Sequence, residues 1–67
     1  MKYKIIDLTP NKILPQKLAE KEGIIAARIV GEGDEIGCGD MIWLRDILTE
    51  MGYVLWKDFK IVKLEPK

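Results

Sequence analysis

Between residues 31 and 40 the chain reads Gly31-Glu32-Gly33-Asp34-Glu35-Ile36-Gly37-Cys38-Gly39-Asp40. Four glycines and four acids in ten residues make this the stretch least able to continue a regular element. An apolar run, Ile24 to Val30, lies before it, and a helical segment, Met41 to Met51, lies after it. The stretch therefore reads as a connection from strand to helix, a place where α/β proteins often set a ligand. Its acids would meet a phosphate with like charge. The loop marks a location without naming what binds there.

Sixty-seven residues predict a single small domain, residues 1–67. Folding at this size buries only about 60% of the unfolded chain's surface, so the core needs help from a metal, from self-association or from regular packing. One cysteine excludes an intrachain disulfide. With 48% hydrophobic and 33% charged residues the composition is that of a globular chain. No apolar run approaches the roughly 20 residues of a membrane span. The N-terminus, with Asp7 early and a short apolar run, does not resemble a signal peptide, so a cytoplasmic location is expected. Histidine and serine are absent, which removes a Ser-His triad, histidine base catalysis and histidine-ligated zinc. Few amides with many Lys, Glu and Ile resemble the composition of a heat-adapted protein.

Tyr3 to Leu8 reads as a strand ending at the turn cluster Thr9-Pro10-Asn11. Pro15 to Glu22 reads as a short helix, with Pro15 at its start, Gly23 past its end, and Leu14 and Leu18 as anchors. Ile24 to Val30 reads as an interior strand covered on both faces, bracketed by Gly23 and Gly31, although Ala26 and Ala27 suit a helix. Met41 to Met51 is the main helix. Asp40 is its expected N-cap, Gly52 its stop, and Leu44, Ile47, Leu48 and Met51 its buried stripe. Ile42 falls on the polar side and Trp43 on the flank. Tyr53 to Trp56 and Phe59 to Glu65 read as strands, joined by a turn at Lys57-Asp58 or continuous through a bulge.

The expected fold class is α+β, a small two-layer domain in the order β-α-β-α-β, with one further strand if the last pair is a hairpin. A three- to four-stranded sheet would be covered on one face by the main helix, about 41–51, and the short helix, about 15–22. If the helices are crossovers between parallel strands, handedness puts both on one face and leaves the other open. Ile6 and Leu8 have opposite parity to Tyr3 and Ile5, and Val62 and Leu64 to Phe59 and Ile61, so both faces of the outer strands carry apolar groups. An open apolar face tends to find a partner, here a second copy.

The acids Glu32, Asp34, Glu35 and Asp40 supply oxygen ligands of the kind calcium or magnesium takes, without the EF-hand spacing. Cys38, between two glycines near a helix start, is a candidate reactive thiol, though no histidine is present to activate it. The two Gly-x-Gly pairs do not make the dinucleotide fingerprint. Charge is uneven along the neutral chain. Residues 1–23 carry five lysines against three acids, residues 24–50 two arginines against six acids, and residues 51–67 four lysines against two acids. Lys57, Lys60, Lys63 and Lys67, with Lys2 and Lys4, are candidates for a basic sheet surface, interleaved with Tyr53, Trp56 and Phe59. Strand alternation puts Lys60 and Lys63 on opposite sides. Ile42 and Trp43 are candidate interface residues, and Trp56 reads as core.

The segment Leu18-Ala19-Glu20-Lys21-Glu22-Gly23-Ile24 resembles part of the helix-turn-helix pattern, with alanine four residues before glycine. The resemblance spans about 15 residues, Gln16 to Val30, and departs at Glu22, where that family has an apolar residue. It implies a recognition helix after Gly23, with Arg28 its base-reading side chain and Tyr53 to Glu65 as a wing.

The function expected from these features is that of a non-enzymatic protein-interaction module, homodimeric and without a cofactor. A nucleic-acid-binding regulator using Arg28 or Lys57, Lys60 and Lys63 is the alternative, and a metal- or thiol-dependent site in residues 31–40 is a second. An enzyme ranks last, because so short a chain encloses little room for substrate.

Overall fold

The computed structural model describes residues 1–64. Strand β1, Lys2–Asp7, pairs antiparallel with strand β2, Phe59–Leu64, in a register running from Lys2↔Leu64 to Asp7↔Phe59. Helix α1 is Leu14–Glu22. Helix α2, Ile24–Arg28, passes directly into a π-helical turn, Ile29–Gly33. Helix α3 is Cys38–Glu50. The fold is a mixed α+β domain with two described strands rather than three or four. No helix among the described residues is long and apolar enough to cross a membrane.

Alternation in β1 sends Tyr3, Ile5 and Asp7 inward. Ile5 and its diagonal neighbour Phe59 are fully buried, and with Leu14, Leu18, Leu44 and Leu48 they form the centre of the core. Leu44, Ile47 and Leu48 bury the expected face of α3.

The run Ile24 to Val30 is helical, not a strand. Gly23 explains both the break and the fresh start, since its φ of 101° and ψ of 179° end α1 without reversing the chain into a strand. Ala26, a good helix former, is fully buried, and its small side chain lets α2 lie close to α1. An interior strand needs a layer on each face, and this chain is too short to supply two. Ile24 and Ile25, expected inside, are 72% and 71% exposed. The π-helical turn fits against α1 because Gly31 has no side chain, as a Cβ there would meet Pro15 Cγ at 3.3 Å.

The main helix begins three residues earlier than expected. Gly37 occupies the N-cap position, and Asp40 lies in the first turn without a capping hydrogen bond. It still suits that end of the helix dipole. At the other end Gly52, with φ of 96°, stops the helix as expected.

Tyr53 to Trp56 is not a strand. Val54 O accepts from the Lys57 and Asp58 amides, the Asp58 carboxylate accepts from the Val54 amide at 2.8 Å, and the chain turns sharply. Among the described residues one parallel bridge, Leu55↔Phe59, is the only ladder contact there. The turn leaves Trp56 at φ of 72° and 67% exposed, so the expectation of a core tryptophan is corrected. With β1 and β2 antiparallel, the helices among the described residues are not crossovers between parallel strands, the case the sequence reading entertained.

Candidate interaction surface on the sheet

The two faces of the sheet differ sharply. The inner face carries Tyr3, Ile5, Asp7, Phe59 and Ile61, with the apolar members in or against the core, and Lys63 at its exposed end. The outer face carries three cross-strand pairs, Lys2↔Leu64, Lys4↔Val62 and Ile6↔Lys60. Each joins one lysine to one apolar side chain. Ile6, Val62 and Leu64 are half-buried and lie outside the core cluster. The lysine stems flanking them contribute apolar cover while keeping the ammonium groups in water. Among the described residues the one ion pair joins Arg28 to Glu32, at 3.4 Å, so none of the three outer-face lysines is paired with a described acid.

The local bonding makes this face rigid. The Tyr3 amide donates to Ile36 O at 2.8 Å, and the Ile36 amide to Tyr3 O at 2.9 Å. Tyr3 thus turns its backbone groups away from β2. Alternation then makes Lys2↔Leu64, Lys4↔Val62 and Ile6↔Lys60 the hydrogen-bonded pairs of the ladder. Every residue of the outer face is pinned by main-chain bonds.

A second feature, a cleft of about 340 Å³, lies beside β1, between the start of α1 and the π-helical turn, with Ile6 of the outer-face strip among its lining residues. Its polar groups are Asp7, Lys12 and Glu32. Asp7 Oδ1 accepts from the Thr9 amide and hydroxyl, and Oδ2 from the Leu14 amide at 3.1 Å, the first amide of α1. Lys12 Nζ donates to Asp7 O at 2.8 Å. Glu32 reaches back to Arg28. These groups hold the fold together and leave the cleft walls chiefly apolar. The sequence reading passed over this network. Its signal was Asp7 two residues before Thr9, an acid and a hydroxyl placed to satisfy a helix start whose N-cap residue, Ile13, cannot.

The other candidate residues are dispersed. Glu32, Asp34, Glu35 and Asp40 are all exposed, and no three acidic or thiol groups among the described residues converge where one ion could be held. The acidic loop is nonetheless anchored, because Ile36 within it is buried and bridges to Tyr3. Cys38 is exposed at the start of α3. Ile42 and Trp43 are 42% and 41% exposed, while Met41 beside them packs on the core. Lys60 lies on the outer face, Lys63 on the inner parity opposite Tyr3, and Lys57 in the turn, so these three do not share one surface. Arg28 is tied to Glu32, and a single residue, Gly23, separates α1 from α2. Glu65 and Lys67 lie outside the described residues. No family model, no curated protein and no solved structure matches the chain.

Proposed function

We propose that this chain is a non-enzymatic protein-interaction module that meets its partner through the outer face of the sheet. The observation that carries this reading is the strip of Ile6, Val62 and Leu64 left outside the core on a main-chain-pinned surface. A rigid face with an apolar strip and charged flanks has the make-up of a contact surface, and it costs little ordering entropy on binding. The engaged polar groups of the cleft and the spread of the acids support binding over chemistry. Stacking the face on a second copy about an axis across the strands would set Lys4 against Lys4, and about an axis along them would set each lysine against an apolar residue. Neither arrangement gives the lysines an acid from the copy's face to meet, which favours a different protein surface.

The test compares the parent chain with Val62→Glu, which places an acid in the middle of the strip. Both are immobilised, exposed to a lysate of the cells that make the protein, and the captured proteins identified. Sedimentation velocity of the same two proteins reports self-association. A defined partner held by the parent and lost with Val62→Glu supports the reading. Capture or dimerisation indifferent to Val62→Glu overturns it, provided the variant keeps the parent's urea midpoint.

A further inference from the structure

We infer that the outer face of the sheet docks an acidic protein segment that carries its own apolar side chains; this rests on the reading of that face as a protein-contact surface. The chain has eleven acids, yet none belongs to the six positions of that face. Asp58 has the same parity just beyond β2, at the Lys60 end, where its carboxylate accepts from the Val54 amide. Among the described residues none of Lys2, Lys4 and Lys60 is in an ion pair, and the six positions carry three positive charges and no negative one around an apolar strip. A partner must match both properties. Apolar residues alone would leave three ammonium groups facing a low-dielectric contact, and acids alone would leave the strip exposed.

Spacing narrows the partner further. Lys2 and Lys4 are two residues apart on a strand, about 6.7 Å along its axis. Acids at i and i+4 on a helix are about 6 Å apart, and acids at i and i+2 on a strand about 6.7 Å apart. Either pattern can meet both lysines at once. Nucleic acid fits less well. Sheets that bind single strands stack bases on exposed aromatic rings, and here Tyr3 and Phe59 both face inward. A second copy docked symmetrically offers no acid from this face to any of the three lysines.

Two synthetic amphipathic helical peptides test the inference, one built from Leu and Glu with the acids at i, i+4, the other with every Glu replaced by Lys. Each is titrated into the full chain while backbone amides are followed by NMR. The Leu/Glu peptide is expected to shift Lys2, Lys4, Ile6, Lys60, Val62 and Leu64. Its affinity should drop at least about tenfold between roughly 0.05 M and 0.5 M salt. The double variant Lys4→Glu with Lys60→Glu should lose the Leu/Glu peptide by at least about tenfold and gain the Leu/Lys peptide. Its dispersed amide spectrum checks that it is folded.

Equal binding of both peptides to the parent would overturn the acidic assignment and leave the contact-surface reading intact. Shifts centred on Ile24, Ile25 or Trp56, or no shifts on the sheet, would overturn the proposal. Tighter binding of a single-stranded oligonucleotide at the same six amides would reassign the face to phosphate. Concentration-dependent shifts without any peptide would reassign it to a second copy. The Val62→Glu capture experiment tests the contact-surface reading separately, so the two can fail independently.

Discussion

Asp7 joins the sheet to the first helix through one carboxylate. Three donors reach it, from the Thr9 amide, the Thr9 hydroxyl and the Leu14 amide, and the site is buried. Asp7→Ala strands those donors away from water and should cost about 3 kcal/mol, read as a lower urea midpoint at unchanged slope. Asp7→Asn keeps one acceptor oxygen and should lose less. Trp56 has the opposite character. Its backbone sits at φ of 72°, where a bulky side chain is strained, and its ring gains little by burial at 67% exposure. Trp56→Gly should therefore raise stability by about 1 kcal/mol, measured the same way. A loss of stability would mean that the indole makes contacts its exposure does not suggest.

At the scale of elements, Gly23 decides the architecture. It sits at φ of 101° and ψ of 179°, a region nearly closed to other residues. A Cβ there would touch nothing, so the cost of Gly23→Ala is conformational alone. That substitution should destabilise the chain by about 1–3 kcal/mol and loosen α2 first, seen as faster amide exchange at Ala26 to Val30. The elements with local punctuation were legible in the sequence: α1 through Pro15 and Gly23, α3 through its apolar stripe and Gly52, and the first strand through its isoleucine-rich run ending at Thr9-Pro10-Asn11. Ile24 to Val30 was not legible, because a seven-residue apolar run between glycines looks alike as strand or helix. Tyr53 to Trp56 misled for another reason, since the Val54–Asp58 turn is set by an acid four residues ahead. For the surface, parity alone placed apolar residues on both faces. Only the register of β1 on β2 showed that Lys60 stands with Lys2 and Lys4 while Lys63 does not.

For the whole molecule, stability is set by one small core. The fully buried residues come from β1, α1, α2, α3 and β2 together, so no element keeps its packing when another leaves. Closing the sheet brings Asp7 to Phe59 across 59 − 7 = 52 positions. Such non-local pairing is slow relative to helix formation, so α1 and α3 should gain protection before β1 and β2 in pulse-labelled amide exchange during refolding. The outer face is assembled from these two distant strands, and neither strand presents it alone. Whatever binds there recognises only the completed chain and draws on its folding equilibrium. At a concentration one hundred times its dissociation constant, such a ligand would add about 2.7 kcal/mol to the stability of a domain with little to spare. The surface proposed for recognition would then also act as a thermodynamic clasp, holding the first strand to the last for as long as the partner stays.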